Sequence, residues 1–317
     1  MVRVFLKDGT KIKIKSINTQ ERCEDKSSVL WIDMLSPTEE EIRWIMENFN
    51  VEVPTAQERE EIEISSRYWE EEDSITINVY FLIRETDTAF NETVTFIFKD
   101  NIIITIAYRE LKTFKEFVRR LMSNPKFYEN GFYVFAGIME IRIATDADIL
   151  EYTAKEISKL GKIVSAGDID VTESIIESIS SYEDLNMTIR ESLTDKQRIL
   201  SSLLKSNKLP SEVREELRIM IKDVNSLIDY TRFNFERLNY LQNTFLGLLN
   251  IEQNKIIKIF AVLSVVFMPP TLIASIYGMN FENIPELHWH YGYYMSLVLM
   301  FIVSVVPLYI FRKKGWL

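Results

Sequence analysis

Two apolar stretches near the carboxyl end of the chain decide its fold: IIKIFAVLSVVFMPPTLIASIY at residues 256–277 and YGYYMSLVLMFIVSVVPLYIF at residues 291–311. Each is close to the roughly 20 residues that an α-helix needs to cross the hydrocarbon core of a bilayer. The first stretch holds one charged residue, Lys258, near its start, where the side chain can reach the interface. The sequence therefore predicts two transmembrane helices joined by a loop at residues 278–290.

Basic residues flank the predicted membrane hairpin on one side only. Lys and Arg are absent from the loop, whose formal charges are Glu282 and Glu286. Because the cytoplasmic flanks of membrane helices are enriched in Lys and Arg, we predict a multi-pass protein of the cell membrane with both termini cytoplasmic, a basic tail at residues 312–317 and an extracellular loop. The alternative is a plain anchor for a cytoplasmic domain. The flanking basic residues are Lys255, Lys258, Arg312, Lys313 and Lys314.

The first 250 residues are acidic, with 32 Lys and Arg against 44 Asp and Glu, a net charge of −12. Such a surface disfavours nucleic acid and favours cations as partners. The apolar start is interrupted too early, by Lys7 and Asp8, for a signal peptide. A single cysteine, Cys23, is predicted to be an inert thiol, and with only two histidines the sequence has no soft-ligand zinc cluster. Lacking a phosphate-binding glycine loop as well, the chain is predicted to be no enzyme and to hold no organic cofactor.

Residues 1–137 have a mixed pattern that predicts a cytoplasmic sheet flanked by helices. Ser36 is the predicted N-cap of the first helix, with Pro37 at its first position and Glu39 completing a capping box. A second helix is expected over residues 111–122, and turns at residues 8–10 and 99–101. Runs rich in β-branched and aromatic residues predict strands at residues 2–6, 11–17, 74–83, 92–99 and 101–108.

Residues 138–255 are predicted to form a helical hairpin followed by a long stalk helix. Between Pro210 and Pro269 lie 58 residues without proline, so one helix of about 87 Å is expected to enter the first membrane span at residues 256–277. Apolar residues recur along it at steps of three and four and define a packing seam. The seam consists of Val213, Leu217, Met220, Val224, Leu227, Thr231, Phe235, Leu238, Leu241, Phe245 and Leu248.

A second face of the same helix, which we call the small-polar stripe, also alternates steps of three and four. Polar groups that face lipid are costly, so this face must meet another helix closely or meet water. Close packing through small residues is one interpretation; the three bulky asparagines favour a water-filled pore lined by several copies of the chain. The prolines at 269 and 270 free two helix carbonyls for other donors, or merely kink the helix. The stripe consists of Asn243, Gly247, Asn250, Asn254, Ile257, Ala261, Ser264, Met268, Thr271, Ser275 and Gly278.

Short motifs around the two spans resemble the CorA magnesium channels of bacteria and archaea. The signature is Gly278-Met279-Asn280, preceded by Tyr277 at the end of the first span. The order of domains agrees along the whole chain. Further matching segments are Trp31-Ile32-Asp33 followed by Pro37, then Phe267-Met268-Pro269, Phe281-Glu282 leading into Pro285-Glu286-Leu287, and the Lys313-Lys314-Gly315-Trp316-Leu317 tail.

The resemblance implies a homopentameric funnel: a cytoplasmic αβα domain of α+β class, a helical stalk and two transmembrane helices. It also implies Mg²⁺ influx driven by the membrane potential and controlled by cytosolic Mg²⁺ bound between subunits. Gly278, Met279 and Asn280 fall on the selectivity filter of this family, and Asn254, Met268 and Thr271 fall on pore positions. Two positions depart from the family, since Asn243 replaces a pore aspartate and Phe260 replaces a gate leucine.

The chemistry of Asn280 suits Mg²⁺, which dehydrates reluctantly. A ring of amide oxygens would hold a hydrated ion through its waters and release it more readily than carboxylates would. Glu282 and Glu286 are either cation-attracting residues at the pore mouth or ordinary solvated loop acids. Co²⁺ and Ni²⁺ are further candidate ions.

Two other functions stay open at this point. One is a transporter of zinc or another divalent cation on the same architecture, although the stripe has no cysteine or histidine for a bare ion. The other is a membrane-anchored structural or sensing protein that conducts nothing, for which a lipid-like first span without a polar stripe is expected.

Acidic residues along the cytoplasmic helices predict the control mechanism. Packed around an axis, they bring like charges together, and a divalent cation between chains would cancel the repulsion. The alternative is an ordinary solvated surface. The regulatory candidates are Asp223, Asp229 and Glu236, with Asp168, Asp170 and Glu173 also on this surface.

Overall fold

The computed structural model describes residues 2–9, 11–16, 26–60, 67–85, 89–166, 172–280, 282 and 284–315. Cys23, Asp168 and Asp170 lie outside these residues, as do Phe281 and Asn283 in the loop. The chain forms two compact units, Met1–Gln242 and Asn243–Leu317.

A mixed sheet of seven strands is the centre of the first unit. Its spatial order is β2-β1-β3-β7-β6-β5-β4, with β3 and β7 parallel and the other neighbouring pairs antiparallel. The five predicted strands are confirmed, and the sequence pattern does not predict β3 or β4. The strands are β1 (Val2–Asp8), β2 (Lys11–Ser16), β3 (Val29–Leu35), β4 (Tyr68–Glu70), β5 (Ser74–Arg84), β6 (Ala89–Lys99) and β7 (Ile102–Ala107).

Seven described α-helices accompany the sheet and the membrane hairpin. Five lie in the first unit, the sixth runs from the first unit into the second, and the last lies in the second unit. Short 3₁₀ turns occur at Pro125–Phe127 and Pro285–His288. The helices are α1 (Glu39–Phe49), α2 (Ala56–Glu60), α3 (Lys112–Ser123), α4 (Gly131–Ala166), α5 (Thr172–Leu203), α6 (Ser211–Tyr277) and α7 (Gly292–Lys313).

Helices cover both faces of the sheet, as the αβα prediction requires. On one face, Trp44, Ile45 and Phe49 of α1 pack on strand residues such as Ile32 and Ile104. On the other face, α3, α4, α5 and the first turns of α6 share one large apolar core with the sheet. Burial of apolar side chains on both faces stabilises this three-layer arrangement.

The N-terminus of α1 differs from the prediction. Thr38, not Ser36, is the N-cap, and Glu41, not Glu39, completes the capping box. The Ser36 hydroxyl instead donates to the carbonyl of Tyr108 at 2.8 Å, and the Ser36 amide donates to Ala107 at 2.8 Å. These two bonds hold Ser36 at the end of β3, against the end of β7, and the helix is capped two residues later.

Helix α4 begins at Gly131, seven residues before the predicted start of the helical region. A Cβ at this position would lie 2.8 Å from the backbone carbon of Ile102, so only glycine allows the helix to approach β7 so closely. Its first turns carry aromatic residues, among them Phe132 and Phe135, which pack on Phe98 of β6. Such an apolar run does not distinguish a buried helix from a strand in the sequence.

The long helix α6 confirms the predicted continuous helix from residue 211 into the first apolar stretch. It has 67 residues and includes both Pro269 and Pro270. Within the first unit its predicted seam is the packed face, since Val213, Leu217 and Val224 are fully buried. A polar contact adds specificity there, because the buried Asn186 amide of α5 donates to the carbonyl of Thr231 at 2.9 Å.

Candidate functional site

Both predicted membrane spans are helices whose apolar segments are exposed. Among the described residues, two helices are long and apolar enough to cross a membrane, Ser211–Tyr277 and Gly292–Lys313. Their apolar windows are 0% and 6% buried, respectively. The core helix of a soluble protein would be mostly buried, so these surfaces are suited to lipid or to other copies of the chain.

One face of α6 in the second unit is partly covered, and it faces α7. The Ser304 hydroxyl of α7 lies 3.2 Å from the carbonyl oxygen of Val266 in α6. On α7 the covered positions recur every three or four residues, beginning with the buried Gly292 and Ser296. From residue 262 to residue 277 the partly covered positions of α6 are Val262, Val265, Val266, Pro269, Pro270, Ile273 and Tyr277.

The small-polar stripe lies on the side of α6 turned away from this packed face. At 3.6 residues per turn the centres of the two faces are roughly 150° apart. Gly247 is half-buried, and every other member of the stripe is exposed. The structure therefore leaves the predicted lining face uncovered from Asn243 to Gly278, and both the pore and close packing with another chain are compatible with that exposure. The exposed members are Asn243, Asn250, Asn254, Ile257, Ala261, Ser264, Met268, Thr271, Ser275 and Gly278.

Two hydroxyls of the stripe bond to their own helix. Ser264 Oγ donates to the carbonyl of Phe260 at 2.9 Å, and Thr271 Oγ1 donates to the carbonyl of Phe267 at 2.7 Å. These bonds satisfy the hydroxyl protons in an apolar region while the oxygens stay available as acceptors. Thr271 therefore does not cap either carbonyl freed by the prolines.

The Gly278-Met279-Asn280 motif continues directly from the last turn of α6. The Gly278 amide donates to Ala274 at 2.9 Å, and the Met279 amide donates to Ile276 at 3.3 Å. A Cβ at residue 278 would lie 3.0 Å from the Ala274 carbonyl oxygen, which is tighter than an ordinary contact. Glycine thus allows the backbone to pass close to the last turn as it leaves the helix. The side chains of Met279 and Asn280 are exposed just beyond the end of α6.

The described part of the loop folds back onto the start of α7. Glu282 and Glu286 are both exposed, as cation attraction requires. A Cβ at residue 292 would lie 2.1 Å from the Glu286 carbonyl oxygen, so glycine is required where the 3₁₀ turn meets α7.

Exposed aromatic residues surround this end of α7, a feature that our sequence analysis did not identify. Trp289, Tyr291, Tyr293 and Tyr294 are each more than half exposed. Trp and Tyr concentrate at membrane–water interfaces, where one part of the ring is apolar and another is polar. The cluster YGYY, two residues after Trp289, is visible in the sequence and is typical of the membrane–water interface at one end of a span.

The three regulatory candidates do not converge within one chain. Asp223, Asp229 and Glu236 are exposed on α6, and Glu236 forms an ion pair with Arg232 at 3.7 Å. Among the described residues, no three His, Cys, Asp or Glu side chains are grouped to hold a metal ion. A regulatory site made from these residues therefore requires ligands from a second chain.

Comparison with known proteins adds independent information on the whole chain. Residues 26–313 match the family model described as CorA-like Mg2+ transporter protein. A Magnesium transport protein CorA of Wolinella succinogenes is 44% identical over 322 residues, which cover 100% of both chains. A protein of the same name from Campylobacter jejuni is 44% identical over 300 residues, 92% of each chain.

A solved structure shares the fold described above. The CorA magnesium transporter of Methanocaldococcus jannaschii superimposes with a TM-score of 0.83 over 100% of this chain and 99% of that chain. Its sequence identity is 23%, so the likeness concerns the fold. The match extends through the sheet, the long helix and the two apolar helices.

Proposed function

Because this chain belongs to the family of CorA-like Mg²⁺ transporter proteins, we propose that it carries Mg²⁺ across the cell membrane as a homo-oligomeric channel. The observation that carries the proposal is the exposure of the small-polar stripe opposite the face that packs on α7. The stripe ends at Gly278-Met279-Asn280, so one uncovered face leads directly into the motif.

Two helices in one chain cannot enclose a channel, so several copies must each contribute one α6 around an axis. Five copies are proposed from the resemblance. In this arrangement α7 lies outside the ring and faces lipid, which agrees with its exposed apolar surface. Asn250, Asn254, Ser264, Met268 and Thr271 would line the path, and Asn243 and Gly247 would lie at its cytoplasmic end.

Asn280 is the proposed filter residue. Its exposed amide lies beyond the last turn of α6, where copies related by the axis would form a ring. Amide oxygens accept hydrogen bonds from the waters of a hydrated Mg²⁺ and leave its inner shell intact. Glu282 and Glu286, exposed nearby, would raise the local concentration of cations. The proposed orientation has both termini in the cytoplasm, and an inside-negative potential would drive cation influx through the open channel.

The experiment is ion uptake into proteoliposomes loaded with a Mg²⁺-sensitive dye, under an inside-negative potential. We expect uptake by the wild-type chain and a reduction of about tenfold or more in Asn280→Ala, because the ring loses several hydrogen bonds of about 1 kcal/mol each. Asn283→Ala is the matched control, since it removes the same amide from the same loop outside the motif.

The same vesicles distinguish the alternatives. Challenge with Zn²⁺, Co²⁺ and Ni²⁺, each with its own dye, identifies the preferred ion. Uptake of Zn²⁺ without uptake of Mg²⁺ would reject the Mg²⁺ channel and identify the protein as a zinc transporter. Absence of uptake for every ion by a protein that is folded and inserted would favour a structural or sensing protein.

A further inference from the structure

Prolines interrupt the backbone hydrogen bonds of both spans at one level. In an α-helix the amide of residue i donates to the carbonyl of residue i−4, and proline has no amide proton. Pro270 therefore leaves the carbonyl of Val266 without its usual donor in α6, and Pro307 does the same to the carbonyl of Val303 in α7. A backbone carbonyl without a donor is costly in the hydrocarbon region of a bilayer.

The side chain of Ser304 supplies a donor to one of these carbonyls. Its hydroxyl oxygen lies 3.2 Å from the carbonyl oxygen of Val266 and 2.9 Å from the carbonyl oxygen of Met300 in its own helix. A serine hydroxyl has one proton, so the two acceptors share it or exchange it. When the contact between the helices breaks, the hydroxyl keeps the Met300 carbonyl as its acceptor, and only the Val266 carbonyl loses its donor.

The position of this contact connects it to the stripe. Val266 lies on the packed face of α6, and Met268 and Thr271 lie on the stripe within the next turn and a half. Side-chain bonds from Ser264 and Thr271 to their own helix, together with the two prolines, weaken the regular backbone pattern over this segment. Helices bend at such positions, and a bend here changes how far Met268 and Thr271 reach from the helix.

We propose that Ser304 is a positioning residue of the conduction pathway, whose hydroxyl holds α6 at its proline pair by hydrogen bonding to Val266. Switching of the hydroxyl's hydrogen bond between the carbonyls of Val266 and Met300 allows α6 to straighten or bend as the pathway opens and closes. This inference rests on the proposed function, because it assigns the stripe to the pore. Ser304 itself is on the helix that faces away from the pore.

The structural test is hydrogen exchange, followed by mass spectrometry, of the peptide covering residues 262–280 in lipid nanodiscs. We expect Ser304→Ala to raise exchange in this peptide about threefold, the typical effect of one hydrogen bond between membrane helices. Ser304→Thr keeps a hydroxyl and should match wild type. Ser296→Ala is the matched control, because Ser296 lies on the same face of α7 and donates to Tyr293 of its own helix at 2.8 Å.

A second variant makes the test specific to the proline. Pro270→Ala restores an amide that can donate to the carbonyl of Val266. The double variant Pro270→Ala, Ser304→Ala should therefore exchange at the same rate as Pro270→Ala alone. The same set is then measured for Mg²⁺ uptake, where Ser304→Ala should change the rate about threefold and Ser296→Ala should not.

The outcomes separate the inference from the proposed function. If exchange follows the expected pattern but the protein transports no ion, the Ser304 contact is supported and the channel is rejected. Normal uptake and unchanged exchange in Ser304→Ala would reject the inference and leave the channel intact. An equal effect of Ser304→Ala on exchange in the wild-type and Pro270→Ala backgrounds would also reject the inference. The hydroxyl would then act on a group other than the carbonyl that Pro270 frees.

Discussion

The ammonium nitrogen of Lys196 lies 3.0 Å from a carboxylate oxygen of Asp146, and both side chains are completely buried. Asp146 also pairs with the buried Arg142, so two cations share one anion in the core between α4 and α5. Lys196 donates to the carbonyl of Tyr80 at 2.7 Å and to Ser192 Oγ at 2.6 Å. Burial lowers the pKa of Lys196, and the neighbouring Asp146 opposes this effect.

Because Asp146 pairs with two cations, removing Asp146 should destabilise the protein more than removing one of the cations. Asp146→Asn leaves Arg142 and Lys196 buried without the carboxylate that they share and should destabilise the protein by about 3–5 kcal/mol. Lys196→Met leaves Arg142 and Asp146 as a balanced pair and removes an amine whose protonated form burial disfavours, so it should cost less. Thermal unfolding of the purified protein in detergent, followed by circular dichroism, measures both.

The control for this prediction is Glu151→Gln, which breaks the exposed pair between Glu151 and Lys155. Exposed pairs contribute little because water screens them, and the midpoint of unfolding should not move. Equal midpoints for Asp146→Asn and Lys196→Met would contradict the shared-anion account.

The predicted orientation has a direct test in intact cells. With Cys23 replaced by serine, a cysteine at Glu282 should react with an impermeant thiol reagent added outside, because the loop is proposed to be extracellular and the residue is exposed. A cysteine at Phe127, 73% exposed in the first unit, should react only after permeabilisation. The reverse order of labelling would invert the topology.

The sequence predicted the elements that depend on local pattern and missed those that depend on packing. The membrane hairpin and the packing seam follow from composition and periodicity, which are local. Strand β3, with six of its seven residues buried, was not predicted, because its sequence VLWIDML mixes Leu, Met and Asp with its β-branched residues; β7, equally buried, is rich in isoleucine and was predicted. Ser36 and Thr38 both have a glutamate three residues later, and only the contact of Ser36 with Tyr108 decides between them.

The residues of the candidate site also divide into those that a local sequence pattern predicts and those that only packing reveals. The stripe was predicted from spacing; the structure leaves it exposed, and its role as a pore lining stays a prediction. Ser304 was not identified, because its importance depends on which residue of α6 it meets. Lys196 lies in the polar segment Asp195-Lys196-Gln197-Arg198, which in the sequence resembles a solvated surface, although Lys196 is fully buried. Tertiary contacts, absent from a single sequence, decide these cases.

An axial arrangement of α6 predicts where neighbouring chains can be joined. With Cys23 replaced by serine, Asn254→Cys should form covalent dimers under mild oxidation, because the exposed stripe positions approach one another around the axis. Val262→Cys is the control: it lies on the partly covered face of the same helix and should give no dimer. Dimers from Val262→Cys alone, or a monomer by native mass spectrometry, would exclude the axial pore.

The last prediction concerns control by cytosolic Mg²⁺. Residues 1–250 carry a net charge of −12, and Asp223, Asp229 and Glu236 are exposed along α6 with no metal-binding group among the described residues of one chain. In an assembly around an axis, acids of neighbouring chains would repel one another, and bound Mg²⁺ would offset that repulsion. Mg²⁺ should therefore favour the closed, symmetric state through tighter binding to it.

Limited proteolysis of the purified assembly measures this population shift. Cleavage in α5 and in the first unit's part of α6 should slow in millimolar Mg²⁺, and a NaCl solution of equal ionic strength should have a smaller effect, because screening alone does not bridge two carboxylates. The triple variant Asp223→Asn, Asp229→Asn and Glu236→Gln removes three acids per chain and should lose most of the protection by Mg²⁺. Equal cleavage rates with and without Mg²⁺ would reject the feedback, even in a protein that conducts. Protection equal to that in NaCl would assign the effect to general screening of the acidic surface.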